Sequence, residues 1–188
     1  MSTVGRPTRE DALRVARRRF LAPGRVDVSA IAEELGVNRV TLYRWIGSRD
    51  QLLVEVLWSL TRQELDAAEA AEDGEGTQRI VGVICRFLDA VIQSPGMRRW
   101  LAEEGEHAMR LLTRHDTAFQ PRLIAAIEEL LTEEAAAGRL DLPVNLHDLA
   151  YVIVRVIESY TYLDLITGEP ANADRARPIL RMLLRADA

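Results

Sequence analysis

The sequence predicts an all-α protein, with a small N-terminal domain of three helices at residues 1–47 and a larger helical C-terminal domain at residues 48–188. Apolar residues recur at the spacing of amphipathic helices along most of the chain. An alternating strand pattern, a repeat and a low-complexity tract are all absent from the sequence. These observations favour two helical domains, each with its own apolar core.

Composition excludes several classes of protein. Of the 188 residues, 48% are apolar and 28% are charged, as in water-soluble globular proteins. The most apolar segment, residues 146–166, contains Arg155, Glu158 and Asp164, which argues against a membrane span. The first twenty residues are rich in arginine and carry no secretory apolar stretch, so we expect a cytoplasmic protein without membrane contact. The single cysteine, Cys85, excludes an intrachain disulfide and a cysteine-based metal cluster.

Charge is distributed unevenly along the chain. Residues 1–50 contain ten arginines and six acidic residues, a net charge of +4, although the whole chain carries −5. The remaining residues therefore carry a net charge of −9. A basic segment on an acidic body indicates that only the N-terminal domain meets a polyanion.

The first helix has clear start and stop signals. Thr8 supplies a capping hydroxyl, and Glu10 and Asp11 place negative charge at the positive end of the helix dipole. The run Ala22-Pro23-Gly24 ends the helix. The predicted helix carries a narrow apolar stripe formed by Leu13, Ala16 and Phe20.

The next two helices have the spacing of a helix-turn-helix. The second helix begins with Asp27 or Ser29 as its cap and ends at Gly36, where a left-handed residue is needed. A turn of three residues then leads to a short third helix over residues 39–46. In a helix-turn-helix the second of the two helices enters the major groove of DNA. An ordinary helical hairpin would show the same spacing.

The polar residues of the third helix favour DNA over that alternative. No acidic residue occurs between Asn38 and Arg49. Arginine binds guanine through two hydrogen bonds, threonine contacts a thymine methyl or a phosphate, and tyrosine donates to phosphate. We predict Leu42 and Ile46, four residues apart, as the core anchors of this helix. The side chains suited to DNA are Arg39, Thr41, Tyr43, Arg44 and Arg49.

This part of the chain resembles the TetR family of transcriptional repressors. The resemblance lies in residues 28–43, Val-Ser-Ala-Ile-Ala-Glu-Glu-Leu-Gly-Val-Asn-Arg-Val-Thr-Leu-Tyr, and in residues 48–53, Ser-Arg-Asp-Gln-Leu-Leu. The order and spacing of the pattern extend over residues 8–57. The run Arg44-Trp45-Ile46-Gly47 departs from the family, which usually has an aromatic pair ending in Phe, and Arg49 stands where Lys is commoner.

The resemblance implies which side chains contact DNA. Arg39, Val40 and Thr41 would lie nearest the bases. The residues nearer the phosphates would be Tyr43, Arg44, Trp45 and Arg49, although Trp45 is equally suited to packing.

Three further residues belong to the predicted DNA surface. Ser29 begins the helix that crosses the DNA backbone, and Asn38 lies at the turn before the third helix. The segment Gly5-Arg6-Pro7 could place Arg6 in a minor groove, as basic arms do. A disordered tail is the alternative for this segment.

The C-terminal domain begins with a capping box, in which Ser48 covers the helix start and Gln51 points back. The helix continues to an acidic break at residues 72–76, so it joins the two domains. Pro178 is awkward inside the last predicted helix, which therefore starts or kinks there. Further helices are predicted at about residues 78–93, 97–104, 105–113, 121–137, 146–167 and 175–184.

The segment 146–167 is apolar on nearly all sides, which a partner subunit would explain. The family resemblance likewise implies a homodimer through about residues 121–137 and 147–167. A symmetric dimer presents two DNA-binding heads, so the operator should be a palindrome with half-sites ~34 Å apart, or a multiple of that distance.

Large or soft side chains of the C-terminal domain are candidates for a small-molecule pocket. The segment 98–113, the region from residue 122 and the face 151–162 resemble, more weakly, the QsdR-type branch of the family, which implies an acyl or lactone effector. The apolar candidates are Trp58, Phe87, Met97, Trp100, Met109, Phe119, Tyr151 and Tyr162. The polar candidates are His107, Arg122, Arg155 and Glu158.

Other functions have weaker support. The three histidines are scattered, and no serine, cysteine or glycine-rich loop has a catalytic context, so we expect no enzyme activity, metal or cofactor. Cys85 lies among apolar residues and is expected in the core. A helical adaptor that binds only protein is the alternative function. The arginine-rich third helix argues against this alternative. The family resemblance implies a repressor that leaves its operator when a small molecule binds.

Overall fold

A computed structural model describes residues 6–23 and 25–185, and this part of the chain is all-α. Gly5 of the predicted arm and Gly24 of the predicted helix stop lie outside the described residues. The chain divides into two compact units, a first unit through Leu60 and a second unit from Thr61. The division falls inside the fourth helix, thirteen residues after the predicted domain boundary between residues 47 and 48.

The first unit contains α1 at Arg9–Leu21, α2 at Val28–Glu34, α3 at Arg39–Ile46 and the first part of α4, which extends over Arg49–Ala70. The third helix packs against both α1 and α2. The centre of the unit is apolar and excludes solvent almost completely. Its most deeply buried side chains are Ala12, Ala16, Ile31, Leu42 and Leu53.

Local hydrogen bonds set where these helices start. Thr8 and Asp11 form a reciprocal capping box at α1, as the sequence indicates. Asp27 is the cap of α2, since its Oδ1 accepts a hydrogen bond of 2.7 Å from the Ser29 backbone N–H. Ser48 and Gln51 form the predicted box at α4, with bonds of 2.9 and 3.0 Å. Each helix therefore starts where a side chain satisfies its unpaired amides.

The second unit is built around α5, Gly76–Gln93, which contacts α6, α7, α8 and α10. The most extensive contact between two helices is that of α7, Phe119–Ala136, with α8, Leu146–Thr161. Within the described residues no single helix is long and apolar enough to cross a bilayer. Only α5 and α6 taken together meet that criterion by length and composition, and they are bent by 64°. The remaining helices are α6 at Pro95–Thr113, α9 at Leu163–Thr167 and α10 at Ala176–Leu183, with 3-10 turns at His115–Thr117 and Ala173–Arg175.

Two helix boundaries differ from the expectation. The predicted single helix over residues 146–167 is wrong, because the backbone leaves helical geometry at Tyr162 (φ −104°, ψ 15°) and α9 follows. The last helix starts at Ala176, so Pro178 lies in its first turn, where a missing N–H costs no intrahelical hydrogen bond. The predicted break between residues 104 and 105 is confirmed as a kink inside α6, where Glu104 is non-helical.

A buried carboxylate joins the start of α5 to the end of α7. Glu134 is 1% exposed, and its two oxygens accept hydrogen bonds from Arg139 Nε at 2.6 Å, the Gly76 N–H at 2.8 Å and Arg79 Nη1 at 2.9 Å. Gly76 has φ of +60°, and a Cβ at this position would lie 2.8 Å from the Arg139 carbonyl oxygen. The close approach therefore requires glycine. Every charge in this cluster has a partner, as a buried ion pair demands.

The cluster makes a prediction for stability. The hydrogen bonds from Arg139, Gly76 and Arg79 hold the pKa of Glu134 at about 2, well below its ordinary 4.5. Because the folded-state pKa is lowered, the stabilisation is complete above pH 4.5 and is lost as the pH falls towards 2. Replacement by the neutral isostere, Glu134→Gln, should lower the free energy of unfolding by about 3 kcal/mol at pH 7.

The control is Glu133→Gln, since the neighbouring Glu133 side chain is 63% exposed and should change stability by less than about 0.5 kcal/mol. Urea unfolding at pH 7 and at pH 3 gives both values. Equal stability of the two variants at pH 7 would contradict the role of Glu134.

Candidate functional site

The orientation of α3 is set by its two buried apolar residues. Leu42 is fully buried and Ile46 is 7% exposed, so this edge of the helix faces the core of the first unit. The opposite side faces solvent, and Val40 is 79% exposed there. Tyr43 is 40% exposed, and both Arg39 and Arg44 are exposed. The predicted core anchors are therefore buried, and four of the predicted DNA-facing side chains of α3, namely Arg39, Val40, Tyr43 and Arg44, are exposed.

The turn between α2 and α3 depends on Gly36, whose φ is +64°. The Gly36 N–H donates to the Glu33 carbonyl and the Val37 N–H to the Ala32 carbonyl, each at 3.0 Å. This left-handed ending satisfies the last carbonyls of α2 within a short turn. Asn38 follows as the cap of α3, and its Oδ1 accepts a hydrogen bond of 2.7 Å from the Thr41 N–H. Its side-chain oxygen is therefore occupied within the protein.

Three of the five arginines of α1 form ion pairs with acidic side chains of the same unit. Arg14 forms an ion pair with Asp11. Glu34, at the end of α2, forms ion pairs with both Arg18 and Arg19, the second at 2.8 Å. The hydrogen bonds from these two arginines lower the pKa of the Glu34 carboxyl. These three guanidinium groups therefore make contacts within the first unit.

Arg39 and Arg44 differ from the arginines of α1. Among the described residues neither guanidinium has a hydrogen-bond or ion-pair partner within the protein. Both belong to a stretch without acidic side chains. Their donors are available to an external acceptor such as a phosphate oxygen or the edge of a guanine.

The other predicted contact residues occupy mixed positions. Arg49 is half-buried, and its Nε donates to the Val26 carbonyl at 3.0 Å, which ties the start of α4 to the segment before α2. Ser29, Thr41 and Trp45 are half-buried, and Arg6 is exposed. Trp45 can therefore contact both the core and a ligand on the surface of α3.

The predicted pocket residues differ in how deeply they are buried. The buried ones are Phe87, Met97, Trp100, Phe119 and Tyr162, all in the second unit. Tyr151 is 46% exposed on α8. Trp58 belongs to the first unit. The half-buried residues are Trp58, His107, Met109, Arg122, Arg155 and Glu158.

Three of the predicted residues form a polar cluster on α8. Arg155 forms an ion pair with Glu158, whose side chain is 12% exposed. Gln120, near the start of α7, donates from Nε2 to Glu158 Oε1 at 3.4 Å. The guanidinium of Arg155 lies 5.4 Å from the centre of the Tyr151 ring. Gln120 is absent from the sequence-based set, because its role depends on the packing of α7 against α8.

Burial controls the ionisation of this cluster. Desolvation raises the pKa of Glu158, against the opposing effect of Arg155. Burial also raises the pKa of the Tyr162 phenol, which is 4% exposed. The phenol is therefore a neutral hydrogen-bonding group at physiological pH.

A separate groove of about 640 Å³ lies on the second unit between α5 and the segment containing α10. Its walls are mainly charged and none of the predicted pocket residues lines it. Cys85 is at the floor of the groove, is 3% exposed, and has a pKa raised by burial. Over residues 6–23 and 25–185 there is no group of three or more His, Cys, Asp or Glu side chains that could hold a metal ion.

In comparisons with known proteins, the chain is similar to transcriptional regulators over both units. Residues 75–185 match the family described as "Tetracyclin repressor-like, C-terminal domain". The transcriptional repressor QsdR of R. erythropolis, from the TetR family, is 29% identical with a TM-score of 0.86, and the match covers 94% of each chain. The regulator BetI of Agrobacterium fabrum is 25% identical over 179 residues, covering 84% of this chain and 86% of the relative. The regulator CifR, solved with operator DNA, shares the fold at 19% identity and a TM-score of 0.54, covering 95% of this chain and 99% of its own.

The cap of α3 predicts how two substitutions of Asn38 change the stability of the first unit. Asn38→Ala removes the acceptor for the Thr41 N–H and should lower the stability of the first unit by about 1 kcal/mol. Asn38→Asp retains a carboxylate acceptor and should keep most of that stability. Thermal unfolding followed by circular dichroism measures both. If Asn38→Asp were as unstable as Asn38→Ala, the side-chain cap would not be what stabilises the start of α3.

Proposed function

The chain belongs to the TetR family of transcriptional regulators, and we propose that it is a homodimeric repressor that leaves a palindromic operator when a small-molecule effector binds in its second unit. The effector is proposed to be an acyl or lactone compound. The proposal combines three parts, which are DNA contact by α3, dimerisation through the late helices, and control by a ligand. Each part has its own support in the described residues.

The observation that carries the DNA part is the pair of unpaired arginines on α3. Arg39 and Arg44 are exposed on a helix that is anchored in the core through Leu42 and Ile46. Free guanidinium groups on a helix of this motif suit the major groove, where arginine binds the O6 and N7 atoms of guanine. We propose Arg39, Val40 and Thr41 as the residues nearest the bases.

Further contacts to the DNA backbone are proposed around this helix. Phosphate contacts anchor the protein and are made by hydroxyl, phenol, amide and guanidinium groups. The proposed set is Arg6, Ser29, Asn38, Tyr43, Arg44, Trp45 and Arg49. Asn38 would bind with its amide N–H groups, since its cap hydrogen bond uses only the side-chain oxygen.

The dimer part is supported by the surface of α8 and α9. Tyr151 and Val152 are 46% and 41% exposed, although the other side of α8 is fully buried through Ile153 and Val154. Ile166 on α9 is 61% exposed. An exposed apolar face on an otherwise buried helix is the usual mark of an interface between subunits. We therefore propose dimerisation through about residues 121–137 and 147–167.

The control part is supported by α4, to which both units contribute. In the first unit Arg17 Nη1 donates to Ser59 Oγ at 2.9 Å, which ties α1 to α4. In the second unit Arg62 forms an ion pair of 3.8 Å with Glu129 of α7. Only three positions separate Ser59 from Arg62 on the helix. We propose that an effector which shifts α7 and α8 shifts α4 as well, and that the two DNA-binding helices then lose their spacing.

The DNA part is tested with an operator duplex selected from random DNA. Arg39→Ala should cost ~1 to 3 kcal/mol of binding at one base position, because one guanine loses its two hydrogen bonds. The measurement is fluorescence anisotropy on the operator and on duplexes changed at single positions.

The matched control is Arg14→Ala, which removes the same charge from the same unit, where the guanidinium is paired with Asp11. It should leave affinity almost unchanged. Equal losses for the two variants would indicate a general charge effect and would contradict base contact by Arg39.

The dimer part is tested by Val152→Glu, which places a charge in the proposed interface. We expect a shift to monomers and a loss of operator affinity of at least about tenfold, since one head alone makes half of the contacts. Light scattering after size-exclusion chromatography measures the mass. Ala102→Glu, at an exposed position on α6, is the control. A dimer that survives Val152→Glu with unchanged stability would place the interface elsewhere.

A further inference from the structure

The polar cluster on α8 has a defined geometry. Arg155 and Glu158 share one side of α8 with Tyr162, the residue that follows the helix, and Tyr162 is counted with the cluster from here on. Gln120 of α7 faces this side, since it donates to Glu158. The neighbouring α8 residues Val154 and Ile157 are 0% and 3% exposed. The cluster is therefore a polar spot bordered by apolar core.

Two hydrogen-bond donors of the cluster are not used within the protein. The Nε of Arg155 is buried and has no hydrogen-bond partner. The hydroxyl of Tyr162 also makes no hydrogen bond to any described residue, although it is not one of the fully buried atoms without a partner. A buried donor without an acceptor, as at Arg155 Nε, is costly, and native proteins rarely keep one without a reason. Both donors suit an acceptor oxygen that comes from a ligand.

The charge of the cluster restricts what that ligand can be. The guanidinium of Arg155 is already balanced by the Glu158 carboxylate, and the side chain of Glu158 is 12% exposed. A ligand carboxylate would bring a second negative charge to one guanidinium in a poorly solvated site. A ligand ammonium would leave an unbalanced positive charge. An uncharged carbonyl group satisfies the free donors without disturbing this balance.

Resting on the proposed ligand-controlled function, we propose that this cluster binds the carbonyl oxygen of an uncharged ester, lactone or amide with an apolar chain. Arg155 Nε and the Tyr162 hydroxyl donate to that oxygen. Glu158 acts as the selectivity residue, because its charge excludes the corresponding carboxylic acids.

The test uses three ligands with the same chain, which are methyl octanoate, octanamide and octanoate. Isothermal titration calorimetry at pH 7.5 on the full-length protein should show the ester and the amide binding about tenfold or more tightly than the acid, because the acid carries an uncompensated charge. Glu158→Gln keeps the shape and the contact to Gln120 but frees Arg155. This variant should bind octanoate more tightly and reverse or abolish the preference.

Two further variants sharpen the test. Glu103→Gln makes the same chemical change at an exposed position on α6 and should keep the wild-type preference. Tyr162→Phe removes one donor and should weaken the ester and the amide about tenfold. Circular dichroism melting of each variant confirms that it is folded.

Three results would overturn the inference. They are equal or tighter binding of octanoate by the wild-type protein, an unchanged preference in Glu158→Gln, and no binding of any of the three ligands. The same samples are assayed for operator binding without ligand. Normal operator binding with any of these results overturns the inference and leaves the regulator intact, whereas loss of operator binding by the wild-type protein contradicts the proposed function itself.

Discussion

The burial of Leu42 and Ile46 is the constraint from which the surface of the first unit follows. These side chains determine the rotation of α3, and Val40 at 79% exposure marks its solvent side. The Gly36 turn and the Asn38 cap then set where the helix starts. Arg18 and Arg19 of α1 share an ion-pair partner in Glu34, whereas Arg39 and Arg44 have no hydrogen-bond or ion-pair partner among the described residues. Packing and ion pairing together thus leave two exposed guanidinium groups on α3 available to an external acceptor.

The second unit contains buried carboxylates of two kinds. Glu134 has a partner for each oxygen, and its pKa is lowered to about 2. Glu158 has a raised pKa because burial outweighs its partners, and the adjacent Arg155 keeps a buried donor without an acceptor. A fully satisfied cluster stabilises the fold, and an incompletely satisfied one is available for binding. We therefore assign the Glu134 cluster to stability and propose the Glu158 cluster for ligand binding.

The helix starts could be predicted from the sequence because their causes are local. Thr8 with Asp11 and Ser48 with Gln51 bond within a span of three residues. The interruption of α8 at Tyr162 could not be predicted in this way, since its apolar pattern continues through residue 167. Glu134 reaches Gly76, which is 58 positions away in the sequence, and Gln120 reaches Glu158 across 38 positions. Such contacts depend on how α5, α7 and α8 pack, so periodicity alone contains no signal for them.

The central claim is that the first unit of this TetR-family protein binds DNA through positively charged side chains on and around α3. The most direct measurement is the affinity of the purified protein for an operator duplex as a function of salt concentration. Each phosphate that is neutralised releases counterions, so the account predicts a log–log slope of about −4 or steeper. A slope near zero, or no binding at low salt, would contradict it.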